Sequence, residues 1–397
     1  MKKLLLITAI SPFPQDNGGA TRIRNTIKEL SNKFDLYLIS TKNENYILNN
    51  EEVKDINTWC KKSIFIPLSN DKKFGSYLDI GQPYWFSNWY LPELITAINS
   101  LIADCQIDII QIEFSQFLYL IDYLPKKYQK KCIFTSHDIS TISFFRRLSE
   151  VKSIRHKIVH FFRFIEVYLY EKKYIPKYSL INAVSQNDNF LLKKYFKPKK
   201  VITVANGIEK INFLKPKNIS NKKIVLGYIG SFSHPPNKTA FLYFINRIAP
   251  KLEENKIDYQ YILAGKNNPN ELEEILSKIS TTIKSKIVNM GFVDSPKHFF
   301  EQIDVLITPI SAGSGSRIKI LEALGYGKKI ISSKVGAEGI NLKTNLISIA
   351  NNPNEYIQEI NNFILNRKNI NFSEEAKNIS KLTWKYIFKD YQKTILR

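Results

Sequence analysis

Residues 304–340 read DVLITPISAGSGSRIKILEALGYGKKIISSKVGAEGI. Residues 304–310 are short and apolar and close at Pro309, as a buried strand does. Residues 311–316 are all small, with Gly313 and Gly315 among serines and an alanine. Residues 317–326 carry Ile318, Leu321 and Leu324 at helical spacing, and residues 328–335 are again β-branched. Strand, glycine loop, helix and strand make a βαβ unit, and such a loop aims backbone N–H groups at an anion. Side chains this small let the backbone close on a phosphate. Arg317 and Lys319 fall in the first helical turn, where a cation opposes the helix dipole by roughly 0.3–1 kcal/mol. A bound dianion would reverse that sign. Glu322 follows on the helix, placed to accept from a vicinal diol as acidic residues do on ribose. From the residues alone, a solvated, mixed-charge helix behind an ordinary glycine loop fits equally well.

The segment resembles the donor-binding segment of GT-B glycosyltransferases of family 4. The small-residue loop, Arg317-x-Lys319, Ile-Leu-Glu-Ala at 320–323 and VGAEGI at 335–340 carry the likeness. It implies that Gly313, Ser314, Gly315 and Ser316 hold a nucleotide diphosphate and that Glu322 binds the ribose hydroxyls. Where the commoner pattern has a second glutamate facing the sugar, this chain has Ser314, which leaves the backbone N–H groups of Gly315 and Ser316 for that task.

The chain has 397 residues, enough for two domains with proper cores. Its apolar fraction of 44% and charged fraction of 24% are those of a globular protein. The net charge of +22 reads either as a lysine-rich composition or as attraction to anions: nucleotide-sugars, an anionic bilayer or nucleic acid. No nucleic-acid-binding signature is found, so nucleic acid is not an expected partner. Cys60, Cys105 and Cys132 are scattered, which suits neither a disulfide framework nor a metal site and points to a reducing, cytoplasmic setting. Residues 1–10, MKKLLLITAI, look superficially like a signal peptide. The apolar run covers only 4–10 and lacks a small-residue cleavage pattern, so a first strand is expected. No apolar run approaches the ~20 residues of a membrane span.

From the N-terminus, a strand at 4–9 is followed by SPFPQDNGGA with Gly18 and Gly19, then a helix at 21–33 bearing Ile23, Ile27 and Leu30. The glycine pair is either a turn using positive φ or, by the family likeness, an approach to the donor phosphate. Arg22 and Arg24 open this helix, for an anion or for a surface ion pair. Residues 36–39 and 63–68 read as strands, with 41–62 polar and irregular. The aromatic stretch 72–90 holds Tyr77, Tyr84, Trp85, Phe86, Trp89 and Tyr90, for an acceptor cleft, for lipid or for packing. IDIIQIEF at 107–114 is a buried parallel strand. In KCIFTSHDIST at 131–141, His137 and Asp138 fall at a strand's carboxyl end, where open α/β sheets bind ligands. The likeness places His137 against the donor sugar, with Asp138 orienting it or capping the next helix.

Residues 143–178 are basic and aromatic, and Phe161, Phe164, Ile165, Tyr168 and Leu169 form one helical stripe. That stripe suits a membrane-surface element or a core-packing helix behind a basic loop. By the likeness, Glu166 and Glu171 lie near the helix end before a strand at 180–184.

In the second half, a strand at 224–229 ends at Gly230 and Ser231, and Asn237 is placed to cap a helix at 239–249. The family's usual arginine and lysine for the leaving diphosphate correspond to Ser231 and Pro236, so Arg317 and Lys319 are the expected replacements, with Lys238 next. Residues 287–293 form a strand beside which the family's nucleobase runs, at Gly291, Phe292 and Val293. Residues 374–396 read as one last helix.

These readings give an α/β chain of the GT-B class: two Rossmann-like, doubly wound domains facing a central cleft, with a C-terminal helix crossing back. The expected divisions are an acceptor-binding domain 1–207, a linker 208–223, a nucleotide-sugar-binding domain 224–373 and a returning helix 374–397. The resemblance implies a retaining glycosyltransferase of the hexosyl type that needs no metal or other cofactor; no Asp-x-Asp motif occurs. A nucleotide-diphosphate sugar is the donor and a glycan or lipid-linked molecule the acceptor, in cell-surface polysaccharide synthesis. A peripheral position on the inner membrane face follows if the basic half meets anionic lipid. A GT-B nucleotide-sugar epimerase and a non-catalytic GT-B subunit remain as alternatives.

Overall fold

Apolar runs that read as nearly continuous belong in parallel strands covered on both faces. The computed structural model describes residues 1–15, 17–68, 82–151, 153–214, 223–293, 295–311, 318–340 and 342–396. Its first sheet holds β1 (Lys3–Thr8), β2 (Asp35–Asn43), β3 (Lys62–Leu68), β4 (Ile109–Glu113), β5 (Cys132–Ser136), β6 (Leu180–Ala183) and β7 (Val201–Thr203). The order is β3-β2-β1-β4-β5-β6-β7, all parallel. Leu6 lies between Leu38 and Gln111 in register. The second sheet holds β8 (Ile224–Ile229), β9 (Tyr259–Ala264), β10 (Ile287–Gly291), β11 (Val305–Thr308), β12 (Lys329–Ser332) and β13 (Ile347–Ile349). Its order is β10-β9-β8-β11-β12-β13, again parallel. In both sheets the winding direction reverses beside the first strand, between β1 and β4 and between β8 and β11. Ligands of doubly wound sheets bind outside the strand carboxyl ends at such points.

One compact unit comprises Met1–Asn206 with Trp384–Arg397, and the other Gly207–Thr383. The single helix expected at 374–396 is two. Helix Phe372–Ile379 belongs to the second unit, where the buried Glu375 accepts from the backbone N–H of Asn345 at 2.9 Å and from the Thr344 hydroxyl. A tight 3₁₀ turn at Ser380–Leu382 interrupts the chain. Helix Trp384–Leu396 then places Trp384, Phe388, Tyr391 and Ile395 in the first unit's core. The expected linker is also partly structured. Ile208 N–H donates to Leu382 at 2.9 Å, Asn212 N–H to Gly325 at 2.8 Å and Leu214 N–H to Tyr326 at 3.1 Å. Residues 215–222 lie outside the described residues, as do Tyr77 and Lys152.

Several local expectations change. The first long helix is Gly18–Ser31, so the glycine pair forms its first turn rather than preceding it, because Asn17 caps it by accepting from Ala20 N–H. The polar stretch 41–62 contains helix Asn50–Trp59, held by a reciprocal Asn49/Glu52 capping box. β10 stops at Gly291, whose φ of +66° ends the strand before Phe292. β12 stops at Ser332, beyond which the Ser333 side chain bonds Ile310 O at 2.5 Å and Gly336 N at 2.9 Å. On helix Ile154–Tyr174 the core takes Val167, Tyr170, Glu171 and Tyr174, while Phe161 and Leu169 of the expected apolar stripe are exposed. No helix among the described residues is long and apolar enough to cross a membrane.

Candidate functional site

In the second unit, the carboxyl ends of β8 and β11 bring a polar cluster together. Tyr228 is buried near the end of β8, and its hydroxyl donates to Asn237 Oδ1 at 2.8 Å. Lys319, one residue into helix Ile318–Gly325, donates Nζ to the same Oδ1 at 2.8 Å and to the Tyr228 hydroxyl at 2.8 Å. Its ammonium also lies 4.1 Å from the centre of the Tyr228 ring, a cation–π contact. Asn237 Nδ2 donates to Ser231 O at 2.8 Å. Asn237 is therefore not a helix cap: helix Pro235–Tyr243 starts two residues earlier behind His234, and the amide points into the cluster. These contacts fix a lysine beside the switch-point loop in one direction.

Glycines let the strand ends approach. A Cβ on Gly265 would stand 2.4 Å from Gly230 O, and Gly265 has φ of +141°. A Cβ on Gly230 would stand 2.7 Å from Asn237 Nδ2 and 2.8 Å from Lys319 Nζ. The loop after β8 is tied to the one after β9 by Ser231 Oγ donating to Lys266 O at 2.6 Å and Phe232 N donating to Asn267 Oδ1 at 2.9 Å. Ser231 thus serves its own loop. Phe292 presents an exposed ring beyond β10, with Lys266 Nζ 5.7 Å from its centre.

Glu322 lies one helical turn beyond Lys319 and is half-buried. Burial pushes its carboxyl up to about 7, and the Lys319 ammonium opposes this only in part. A carboxylate held at that cost is primed to accept hydrogen bonds from a ligand. Gly313, Ser314, Gly315, Ser316 and Arg317 lie outside the described residues.

In the first unit, the switch point between β1 and β4 carries a second polar cluster. Glu113 ends β4 and is fully buried; its Oε2 takes His137 Nε2 at 2.6 Å. Burial alone would raise Glu113. The His137 ring, the Arg22 charge and the Gln111 amide outweigh it and hold the carboxyl below its ordinary value. An ionised carboxylate only accepts, so His137 donates from Nε2. Phe114 stacks on the imidazole at 3.6 Å and 16°, from a backbone with φ of +74°. A Cβ on Gly19 would come within 3.4 Å of that Phe114 ring and 3.0 Å of Ile10, so the helix start sits against the same group.

Arg22 is buried behind this pair, giving Nη1 to Asn206 at 2.6 Å and Nη2 to Val204 O at 2.8 Å. Burial lowers its guanidinium to about 10, against the opposing charge of Glu113, so it stays cationic. Arg24 makes the surface ion pair instead, with Asp55 at 3.0 Å. Gln111 links Glu113 Oε1 at 2.5 Å to the Tyr391 hydroxyl at 2.6 Å, so the last helix completes the network. Asp138 neither orients His137 nor caps the following helix. It accepts from Ser143 Oγ at 3.0 Å, and burial raises its pKa. The cap of helix Ser140–Glu150 comes from Glu171, whose carboxylate takes the N–H groups of Ser140 and Thr141, each at 3.0 Å. Among the described residues no group of three His, Cys, Asp or Glu side chains is placed to hold a metal ion.

Solved structures that match in shape include the following two. Sucrose-phosphate synthase from Thermosynechococcus elongatus superposes with a TM-score of 0.71, covering 99% of this chain and 98% of that one at 13% identity. Anabaena Alr3699/HepE, solved in complex with UDP, gives 0.64, with 99% of both chains covered at 14% identity. Both sheets, their order and the returning last helix are thus those of the GT-B fold. Residues 223–366 match the family described as glycosyl transferases group 1. Over these residues the second unit is similar to group 1 glycosyl transferases. A curated relative from Klebsiella pneumoniae, named as an uncharacterized 44.6 kDa protein in the cps region, is 20% identical over 347 residues, 85% of this chain and 84% of that one.

Of the expected site residues, Lys319, Asn237, Ser231 and Glu322 come together at one switch point, and Gly18, Gly19 and His137 at the other. Sequence reasoning missed Tyr228 and Glu113, and it placed Glu171 near its helix end without its capping of helix Ser140–Glu150. For Glu113 a signal existed: Gln111 and Glu113 alternate within an otherwise apolar strand, and two polar side chains on one face of a buried strand need partners.

Proposed function

We propose that this chain is a glycosyltransferase that moves a sugar, with retention of configuration, from a nucleotide-diphosphate sugar to a glycan or lipid-linked acceptor in cell-surface polysaccharide synthesis. The carrying observation is the Glu322 carboxyl, lifted to about 7 by burial one turn from the fixed Lys319 ammonium. That pairing suits a ribose diol followed by a diphosphate. The UDP in the Anabaena neighbour and the cps-region setting of the Klebsiella relative support the same donor and product classes.

In this reading Glu322 accepts from both ribose hydroxyls. Gly313, Ser314, Gly315 and Ser316 offer backbone N–H groups to the phosphates. Lys319 and Arg317 neutralise charge as the diphosphate leaves, the kind of preorganised stabilisation typically worth a few kcal/mol per donor group. Exposed Phe292 offers a ring face to the base. In the first unit His137, with Gly18 and Gly19, is assigned to the sugar and phosphate end of the donor. Its donor role toward Glu113 directs Nε2 inward and leaves Nδ1 for the substrate side. Asp138, Asn237 and Ser231 are assigned supporting positions. The chemistry runs on cations and amides, without a metal.

Thermal stabilisation by UDP, GDP, ADP and CMP, followed by transfer assays with the matching sugars, tests the reading. One nucleotide diphosphate is expected to stabilise the protein selectively, with the transferred sugar keeping its anomeric configuration. Stabilisation by none of them, or an inverted product, would overturn it.

A further inference from the structure

We infer that the helical pair Ser140–Glu150 and Ile154–Tyr174 of the first unit docks on an anionic lipid surface. Helix Ile154–Tyr174 has two apolar sides. At roughly 100° per residue, Val167, Tyr170 and Tyr174 share one side, and that side is buried in the core. Ile154, Ile158, Phe161, Phe162 and Leu169 share nearly the opposite side, with exposures of 70%, 52%, 50%, 64% and 57%. Large side chains this exposed along one stripe are a patch rather than scattered exceptions.

The patch continues off the helix. Phe145 on the neighbouring helix is 59% exposed, and its ring lies 5.8 Å from Phe164. Trp85 is 45% exposed, edge-on to Phe144 at 5.9 Å, with the Arg163 guanidinium 5.5 Å from its ring centre. Tryptophan beside a cation is what the boundary between headgroups and acyl chains selects.

Charge identifies the occupant. Exposed Arg155 and Lys157 project on the two flanks of the stripe, and exposed Lys173 lies on the Arg155 side further along. Arg147 is exposed on the neighbouring helix. Half-buried Glu166 at the edge is outnumbered. Rings and aliphatic chains enter the acyl boundary while flanking cations meet lipid phosphates. A second copy on the same face would set these cations against their own images across a two-fold axis. The inference is independent of the donor reading, because vesicle binding needs no nucleotide.

The full chain is to be floated with vesicles of phosphatidylcholine alone or with about one third phosphatidylglycerol, at low and high salt. Binding to the anionic vesicles only, weakened by salt, is expected. Ile158→Asp with Phe162→Asp, and separately Arg155→Glu with Lys157→Glu, should each weaken it at least about tenfold. Circular dichroism and the nucleotide-induced thermal shift of these variants should stay as in the wild type, which separates lost docking from lost folding or lost donor binding. Equal binding to both vesicle types, binding to neither, or unchanged binding by both variants would overturn the inference. So would a concentration-dependent dimer in sedimentation velocity that the Phe162→Asp variant abolishes.

Discussion

Replacing Glu322 by Gln is expected to move the free and the ligand-bound protein in opposite directions. Burial raises the carboxyl from its ordinary 4.5 to about 7. The folded chain then holds a proton that the unfolded chain has released. Stability falls as pH rises from 4.5 towards 7, and the whole penalty stands above 7. A shift of that size corresponds to roughly 3 kcal/mol. The half-buried residue keeps some water, so about 1–2 kcal/mol is the working figure. Glutamine carries no charge and escapes the penalty. At pH 8 the free variant should melt roughly 2–6 °C above the wild type. With nucleotide the order inverts. At about 100 times its dissociation constant the ligand adds about 2.7 kcal/mol to the wild type. Losing charge-assisted bonds to the diol, each worth roughly 1.5–3 kcal/mol, leaves the variant with only about 0.4 kcal/mol at the same concentration if affinity drops a hundredfold. Scanning fluorimetry at pH 8 and pH 6 reads both effects. On lowering the pH through 7 the wild type should lose affinity up to about tenfold per unit from this group, on top of any phosphate titration that both proteins share. A variant that keeps the full nucleotide shift would refute the ribose assignment. One that melts lower without ligand would refute the burial argument.

Lys319→Met removes both 2.8 Å bonds to Tyr228 and Asn237 and should cut the transfer rate by roughly 10²–10³, read as kcat with saturating donor. Glu113→Gln keeps one oxygen for His137 but strips the charge facing Arg22, and urea unfolding should show a loss of roughly 1–3 kcal/mol. His137→Ala leaves the buried Glu113 oxygen without its partner and should lose at least as much stability, while abolishing most transfer. Gly265→Ala forces a Cβ to 2.4 Å from Gly230 O at a φ of +141°, so the second unit should lose at least about 1–3 kcal/mol, and nucleotide stabilisation should fall with it.

The strands that open the two sheets were legible because each piece is local. β1 and β8 show their burial on both faces as apolar runs, and glycines follow each, Gly18 and Gly19 in the first turn of the next helix and Gly230 directly after β8. Glu322 and Lys319 were legible for the same reason, since one helical turn fixes their spacing. What escaped depends on meetings between distant residues. Glu113 and His137 are 24 positions apart, and only the pairing of β4 with β5 brings them to 2.6 Å. Glu171 caps a helix that begins 31 residues earlier, so no capping motif near Ser140 announces it.

The stripe on helix Ile154–Tyr174 shows a different limit. Periodicity finds apolar sides but carries no record of which one the rest of the chain covers. Here the core took Val167, Tyr170 and Tyr174 and left Phe161, Phe162 and Leu169 to solvent. Covering a second side would have required a further element, and helix Ser140–Glu150 before it extends the apolar side with Phe145 rather than covering it. An apolar side that the described residues leave uncovered, with arginine and lysine on its flanks, is a surface open to a partner from outside the chain. Its charge then decides which partner that is.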